Sequence, residues 1–137
     1  MIHTGMILSG RENWERPLAQ TDTSVSFGNN VLVRTLVIGA LLALLFSIGL
    51  IGYFIRPSGT PIVLHYNVYF GVDLLGVWWQ AYALPFLGIL FLFGHFFLAR
   101  RFYLRAERIA CYLMLLSAGM LSGGLLVASI SIAFINY

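Results

Sequence analysis

The sequence contains no lysine and few charged residues of either sign. Its eight basic residues are all arginines, five acids leave a formal net charge of +3, and 9% of the 137 residues are charged. Soluble domains carry about 25% charged residues, and a nucleic-acid-binding surface needs densely clustered basic side chains. The composition therefore excludes a water-soluble globular domain and argues against nucleic acid as a partner. The single cysteine, Cys111, excludes an internal disulfide and a multi-thiolate metal site.

Apolar residues make up 60% of the chain and include three runs of membrane-spanning length, 31–55, 81–99 and 109–135. The first run would extend about 37 Å as a helix, at roughly 1.5 Å per residue, against a hydrocarbon core of about 30 Å. Because lipid offers no hydrogen-bond partner to backbone groups, each run is expected to be helical. We therefore predict an all-α integral membrane protein with three transmembrane helices and the lipid bilayer as its surroundings.

The runs divide the chain into a polar N-terminal arm, 1–30, and a membrane domain, 31–137, with an outer loop at 56–80 and a cytoplasmic loop at 100–108. Within the arm, Ser9 and Glu12 fit a capping box that could begin a short helix. Residues 18–30 have the composition of a solvated linker.

The arginines predict the orientation. Basic side chains resist translocation and accumulate in short cytoplasmic loops. Loop 100–108 holds four of them, whereas the outer loop holds only Arg56. We expect the protein to lie in the cell membrane (inner or plasma), with the N-terminus and loop 100–108 in the cytoplasm and the C-terminus outside. The loop arginines are expected to face lipid headgroups; they are Arg100, Arg101, Arg105 and Arg108.

The outer loop carries the most informative polar residues. From Val63 to Phe70 the alternation predicts an extended segment with His65 and Asn67 on one face, and residues 72–82 suit a short interfacial helix. That helix would place Trp78 and Trp79 at the headgroup level.

His65 and Asp73 are the only imidazole and the only carboxylate of the outer loop. A hydrogen bond between them could fix the loop, or together with Asn67 they could contact a ligand or partner. Two donors are too few for a convincing zinc site, so we predict no metal and no other cofactor. His95, in the second span, is expected to bond a neighbouring helix or a headgroup, although a single axial haem ligand shared with a partner chain stays open.

The string Pro61-x-x-x-His65-Tyr66-Asn67, followed by Gly71-x-Asp73, has a counterpart in a known family. It resembles the His-aromatic-Asn segment, with a Gly and an Asp close behind, of a bacterial membrane-protein domain of unknown function. Related domains occur in immunity proteins against a sporulation-delaying toxin. The resemblance covers residues 55–87. It implies a small multi-span membrane protein whose outer loop is the distinctive element, with no reaction assigned to most members.

The three spans lack the charged residues that transport would need and the activated nucleophile that catalysis would need. No acid falls in any of the three runs, although ion and proton pathways place ionisable residues within the membrane. The serines of the third span have no His or Asp on the same helix to activate them. We therefore expect neither autonomous transport nor enzymatic catalysis.

Small residues at helical spacing mark two candidate helix-packing faces. Gly39, Ala43 and Ser47 recur every four residues on the first span, and Gly119 and Gly123 do so on the third. Such stripes allow close approach of helix backbones, either within the bundle or against another chain. We interpret the protein as a small accessory or structural subunit of a larger membrane protein complex, with a homo-oligomer also open. The alternative is a binding or immunity-type module that recognises a ligand or peptide through residues 61–80.

Overall fold

The computed structural model describes residues 25–137, so the predictions for residues 1–24, including the helix start at Ser9 to Glu12, lie outside the described part. The described chain is mostly helical. Its elements, in chain order, are a 3-10 helix at Phe27–Asn29, helix α1 (Val31–Phe54), strands β1 (Ile62–Asn67) and β2 (Gly71–Gly76), a 3-10 helix at Trp78–Tyr82, and helices α2 (Ala83–Leu104) and α3 (Arg108–Ile135).

The three long helices confirm the three predicted spans. Each is long and apolar enough to cross a membrane, because even the 22 residues of α2 extend about 33 Å at roughly 1.5 Å per residue. The architecture therefore suits a multi-pass membrane protein. We call the end of the bundle that carries residues 100–108 the arginine end, and the opposite end, which carries β1 and β2, the hairpin end.

The predicted cytoplasmic loop 100–108 is too long. Helix α2 continues through Arg100 and Arg101 to Leu104, and only residues 105–107 connect it to α3. The chain turns at Ala106, whose φ of 61° lies in the left-handed region. The arginines mark where the apolar stretch ends, but a helix does not stop at a charged residue, so it runs on beyond that point.

The assignment of an all-α fold is wrong at the outer loop, which forms an antiparallel β-hairpin from β1 and β2. The extended segment predicted from Val63 is present but ends at Asn67, and the helix predicted over 72–82 begins only at Trp78. Gly71 explains the difference. Its φ of +79° allows the chain to reverse, and the residues after it then pair with β1 instead of forming a helix.

Helix α3 is the centre of the bundle, since it packs along both α1 and α2, whereas α1 and α2 contact each other less. Of the helix glycines, Gly88 of α2 has the least space around it. A Cβ atom there would lie 2.4 Å from Leu44 of α1 and 2.8 Å from Leu125 of α3. Buried side chains form a group at the arginine end, one in the middle and one at the hairpin end. These are Val33, Ala99, Tyr103, Cys111 and Leu115; Ala40, Leu44, Leu92 and Ala118; and Ile51, Ile55, Ile62, Ala81 and Ile132.

One polar contact joins two helices inside this core. The Ser47 hydroxyl of α1 donates to the Ser129 hydroxyl of α3, with the oxygens 2.5 Å apart, and Ser129 donates to the Leu125 carbonyl of its own helix at 2.9 Å. Both serines are fully buried. Because each hydroxyl donates, neither is left with an unpaired proton in the apolar interior.

Candidate functional site: the hairpin and the outer faces of the bundle

His65 and Asp73 meet on the hairpin. The Nδ1 atom of His65 lies 2.6 Å from Oδ1 of Asp73, which confirms the predicted contact between them. The cross-strand pairing leaves Leu64 and Asp73 without direct partners. Such bulges redirect side chains, and here they bring the imidazole and the carboxylate together.

The His65–Asp73 pair is open to solvent. The two side chains are 62% and 44% exposed, and exposed ion pairs contribute about 0.2–1 kcal/mol to stability. The pair therefore adds little to holding the hairpin together. Because both side chains are accessible, a ligand can reach His65 and Asp73, and contact with such a ligand stays a prediction.

Asn67 has a structural contact inside the hairpin. Its side-chain Oδ1 accepts a hydrogen bond from the backbone N–H of Tyr69 at 2.9 Å. Asparagine commonly shapes turns in this way, by mimicking a backbone carbonyl. Of the predicted binding residues, Asn67 thus forms the turn, whereas His65 and Asp73 are presented on the strands.

The hairpin tip exposes three consecutive large apolar side chains, a feature that the sequence alone did not reveal. Val68, Tyr69 and Phe70 are 83%, 91% and 83% exposed. The extended segment was predicted to continue to Phe70, but all three residues belong to the turn between β1 and β2. We call these residues the apolar tip.

Asn136 fastens the hairpin to the bundle. Its amide Nδ2 donates to the Val63 carbonyl, and its Oδ1 accepts from the Val63 N–H, both at 2.7 Å. The same Nδ2 lies 2.8 Å from the Ile132 carbonyl on α3. Sequence reasoning missed this residue. The only signal was a polar amide immediately after the last apolar run.

The two tryptophans have different surroundings. Trp78 is half-buried and packs on the group of buried residues at the hairpin end, with its ring 6.4 Å from that of Tyr82. Trp79 is mainly exposed. Both lie at the hairpin end of the bundle, and their contact with headgroups stays a prediction.

The predicted small-residue stripes do not coincide with the packed interior. The buried face of α1 contains Ser47 but not Gly39, and Ala43 is only half-buried. Among the described residues, no atom lies within 4 Å of a Cβ built at Gly39, Gly119 or Gly123. These glycines therefore make no close helix contact among the described residues, and packing against another chain stays a prediction.

The arginine end contains a polar network that the sequence analysis also missed. Asn30 caps α1 by accepting from the N–H groups of Leu32 and Val33, and its Nδ2 donates to the Tyr112 hydroxyl at 2.8 Å. Residues 25–30, the described part of the predicted solvated linker, are not wholly solvated, because the Phe27 ring packs edge-on against Tyr103 with centroids 5.3 Å apart.

Of the predicted headgroup arginines, Arg108 alone makes a side-chain hydrogen bond among the described residues. Its Nη1 donates to the Tyr103 hydroxyl at 2.8 Å, and its guanidinium lies 4.5 Å from the centre of the Tyr103 ring. Arg100, Arg101 and Arg105 are exposed. Arg108 is therefore held in place, in contrast to the other three.

No protein-family model, curated protein or solved structure matches this chain. The resemblance to the immunity-related domain therefore stays a prediction.

The remaining polar residues of the spans bond to their own helices. His95 Nδ1 lies 2.8 Å from the Phe91 carbonyl one turn earlier, and among residues 25–137 the His95 side chain makes no bond to a neighbouring helix, so its contact with a headgroup stays a prediction. Ser117, Ser122 and Ser131 likewise donate to carbonyls of α3. Across residues 25–137, no three His, Cys, Asp or Glu side chains come together in a group that could hold a metal ion.

Proposed function

We propose that the chain is a small accessory subunit of a larger membrane protein complex, which it joins through the glycine faces of α1 and α3. The observation that carries the proposal is the open space beside Gly119 and Gly123, where a Cβ would meet no described atom. The bundle makes its own close helix contact elsewhere, at Gly88. The G-x-x-x-G pair on α3 is thus free for a helix of another chain.

Physical chemistry favours a protein partner on this face over lipid alone. Lipid tails provide no hydrophobic drive for helix association, so helices associate by close packing, and glycine permits the closest approach of two backbones. A face that only contacts lipid gains nothing from glycine, which is less favourable in a helix than alanine by about 1 kcal/mol. A second copy of the chain is the alternative partner.

The proposed setting is the cell membrane, with the arginine end in the cytoplasm and the hairpin end outside. Four arginines lie at residues 100–108, whereas Arg56 is the only one between α1 and α2. Positively charged residues near span ends resist translocation. This orientation presents the hairpin to the exterior.

The experiment is recovery of tagged full-length protein from the cells that make it, in mild detergent, with mass spectrometry and sizing of the co-migrating chains. Gly119→Leu and Gly123→Leu should abolish recovery of the partner because their side chains fill the open face. The matched control is Met120→Leu, at an exposed neighbouring position. Recovery of a second copy would assign a homo-oligomer. Recovery of a wild-type monomer, or of glycine variants that keep the partner, would contradict the proposal.

A second candidate function is recognition of an external ligand or peptide by the hairpin. The supporting observation is the apolar tip, three large side chains exposed to at least 83%, beside the accessible His65–Asp73 pair. Exposed apolar groups with polar neighbours are typical of interaction sites. This candidate corresponds to the binding or immunity-type alternative.

The two candidates are separated by substitutions at the hairpin. If the hairpin recognises a ligand, His65→Ala, Asp73→Ala and Tyr69→Ser should remove ligand binding or toxin resistance at unchanged membrane level. Asn67→Ala would additionally disturb the turn, so its effect on protein level is measured alongside. Retention of partner recovery in the same variants would assign complex formation to the glycine faces instead.

A further inference from the structure

We propose that the arginine end contains a binding site for a phosphate group, formed around Arg100 and Arg108. A cavity of about 510 Å³ lies between the segment before α1, the last turn of α2 and the first turn of α3. Small-molecule sites in proteins occupy about 300–1,000 Å³. The cavity therefore has room for a phosphate together with the group that it esterifies.

The chemistry of the lining selects an anion. Two arginines line the cavity, Arg100 on α2 and Arg108 on α3, and no acidic residue among residues 25–137 does. Glu107, the neighbour of Arg108 in sequence, is exposed and does not line it. Guanidinium groups bind phosphate through paired, charge-assisted hydrogen bonds, so this pair provides both the charge and the donors.

Arg108 is oriented before any ligand binds. Its Nη1 donates to the Tyr103 hydroxyl, which donates in turn to the Val25 carbonyl, and the guanidinium lies over the Tyr103 ring. Tyr103 is itself nearly buried, at 8% exposed. A guanidinium has several further N–H donors. Fixing the side chain in advance lowers the entropy lost when those donors bind a ligand.

The position favours phosphate over a carboxylate. Arg100 immediately follows the apolar stretch of α2, and Arg108 immediately precedes that of α3. In a bilayer this level is the polar layer where lipid phosphates lie. A lipid phosphate and a soluble phosphate ester would bind the arginines in the same way, and competition with soluble phosphates distinguishes them.

The test measures lipid binding to the purified full-length protein in non-ionic detergent by native mass spectrometry. The probes are phosphatidic acid, phosphatidylglycerol and phosphatidylcholine, with glycerol 3-phosphate and inorganic phosphate as soluble competitors. We expect one anionic lipid per chain, in preference to phosphatidylcholine. Displacement by the soluble phosphates would assign a soluble phosphate ester as ligand, and retention of the lipid would assign the lipid.

The variants come in matched pairs. Arg100→Gln and Arg108→Gln should each weaken binding about tenfold, the loss expected for a hydrogen bond to a charged group. Arg101→Gln and Arg105→Gln remove the same charge from neighbouring positions that do not line the cavity, and should leave binding nearly unchanged. Tyr103→Phe, which keeps the ring but removes the hydroxyl that orients Arg108, should give an intermediate loss.

Equal losses in all four arginine variants would overturn the proposal, because they would indicate attraction to total charge and not a site. Equal binding of phosphatidylcholine by the wild-type protein would do the same. The side chain of Arg100 makes no hydrogen bond among residues 25–137 and is exposed, so Arg100→Gln should fold even if Arg108→Gln does not. A thermal unfolding curve for each variant establishes that binding is compared between folded proteins.

Discussion

Asn136, the residue that follows α3, holds the backbone of Val63 in β1 by two hydrogen bonds of 2.7 Å. The two residues are 73 positions apart in the chain. The N–H and carbonyl on the outer side of an edge strand have no strand partner. At Val63 the Asn136 amide bonds to both of these groups, in the position that a third strand would take. It joins the loop between α1 and α2 to the last helix.

Replacing Asn136 should release the hairpin while leaving the helical bundle folded. Asn136→Ala removes both bonds to Val63, and each net hydrogen bond contributes about 0.5–1.5 kcal/mol. We expect faster amide hydrogen exchange in β1 and β2, with unchanged exchange in the middle of α1. Tyr137→Ala, at an exposed neighbouring position, is the control. Unchanged exchange in the hairpin would mean that Asn136 does not hold it.

Gly88 should tolerate substitution less well than any other glycine of α2. A Cβ at Gly88 would collide with Leu44 and Leu125, whereas one at Gly94 meets nothing within 4 Å among the described residues. Because overpacking of a core costs about 1–3 kcal/mol, Gly88→Val should lower the thermal unfolding temperature. Gly94→Val is the matched control and should change it little. Equal effects of the two variants would contradict the close packing at Gly88.

The three spans could be predicted from the sequence because their cause is local. A run of apolar residues long enough to cross the bilayer must satisfy its own backbone, and the helix is how one segment does so. Which face of each helix packs inward could not be predicted. Residues facing lipid are as apolar as residues facing other helices, so the sequence indicated Gly39 and Gly119 as packing positions, whereas the glycine buried between the helices is Gly88.

The hairpin was predicted only in part because its causes are not local. The alternation after Val63 indicated an extended segment, but residues 71–76 become a strand through pairing with β1 and through the left-handed conformation of Gly71. The His65–Asp73 contact could be expected because both lie on the same short loop. The contact between Asn136 and Val63 depends on the folded bundle, and a polar amide after the last apolar run does not indicate which residue it will bond.

The serine pair in the core should respond asymmetrically to alanine substitution. Ser47 donates to Ser129, which donates in turn to the Leu125 carbonyl. Ser47→Ala leaves the Ser129 proton bonded, whereas Ser129→Ala leaves the Ser47 hydroxyl without its partner on α3. Ser129→Ala should therefore lower stability more, and a double-mutant cycle should give a coupling of about 0.6 kcal/mol, typical of hydrogen bonds between membrane helices. Equal losses would indicate that Ser47 turns to a carbonyl of its own helix.

Labelling of single cysteines should report the proposed orientation. In a Cys111→Ala background, Thr60→Cys lies in the segment between α1 and β1, and Arg105→Cys lies between α2 and α3. Both positions are exposed, so differences in labelling by a membrane-impermeant maleimide reflect the side of the membrane. Because arginine-rich loops stay in the cytoplasm, intact cells should label Thr60→Cys alone, and permeabilised cells should label both. Labelling of Arg105→Cys alone in intact cells would invert the orientation and place the phosphate site, with Arg100 and Arg108, at the outer surface.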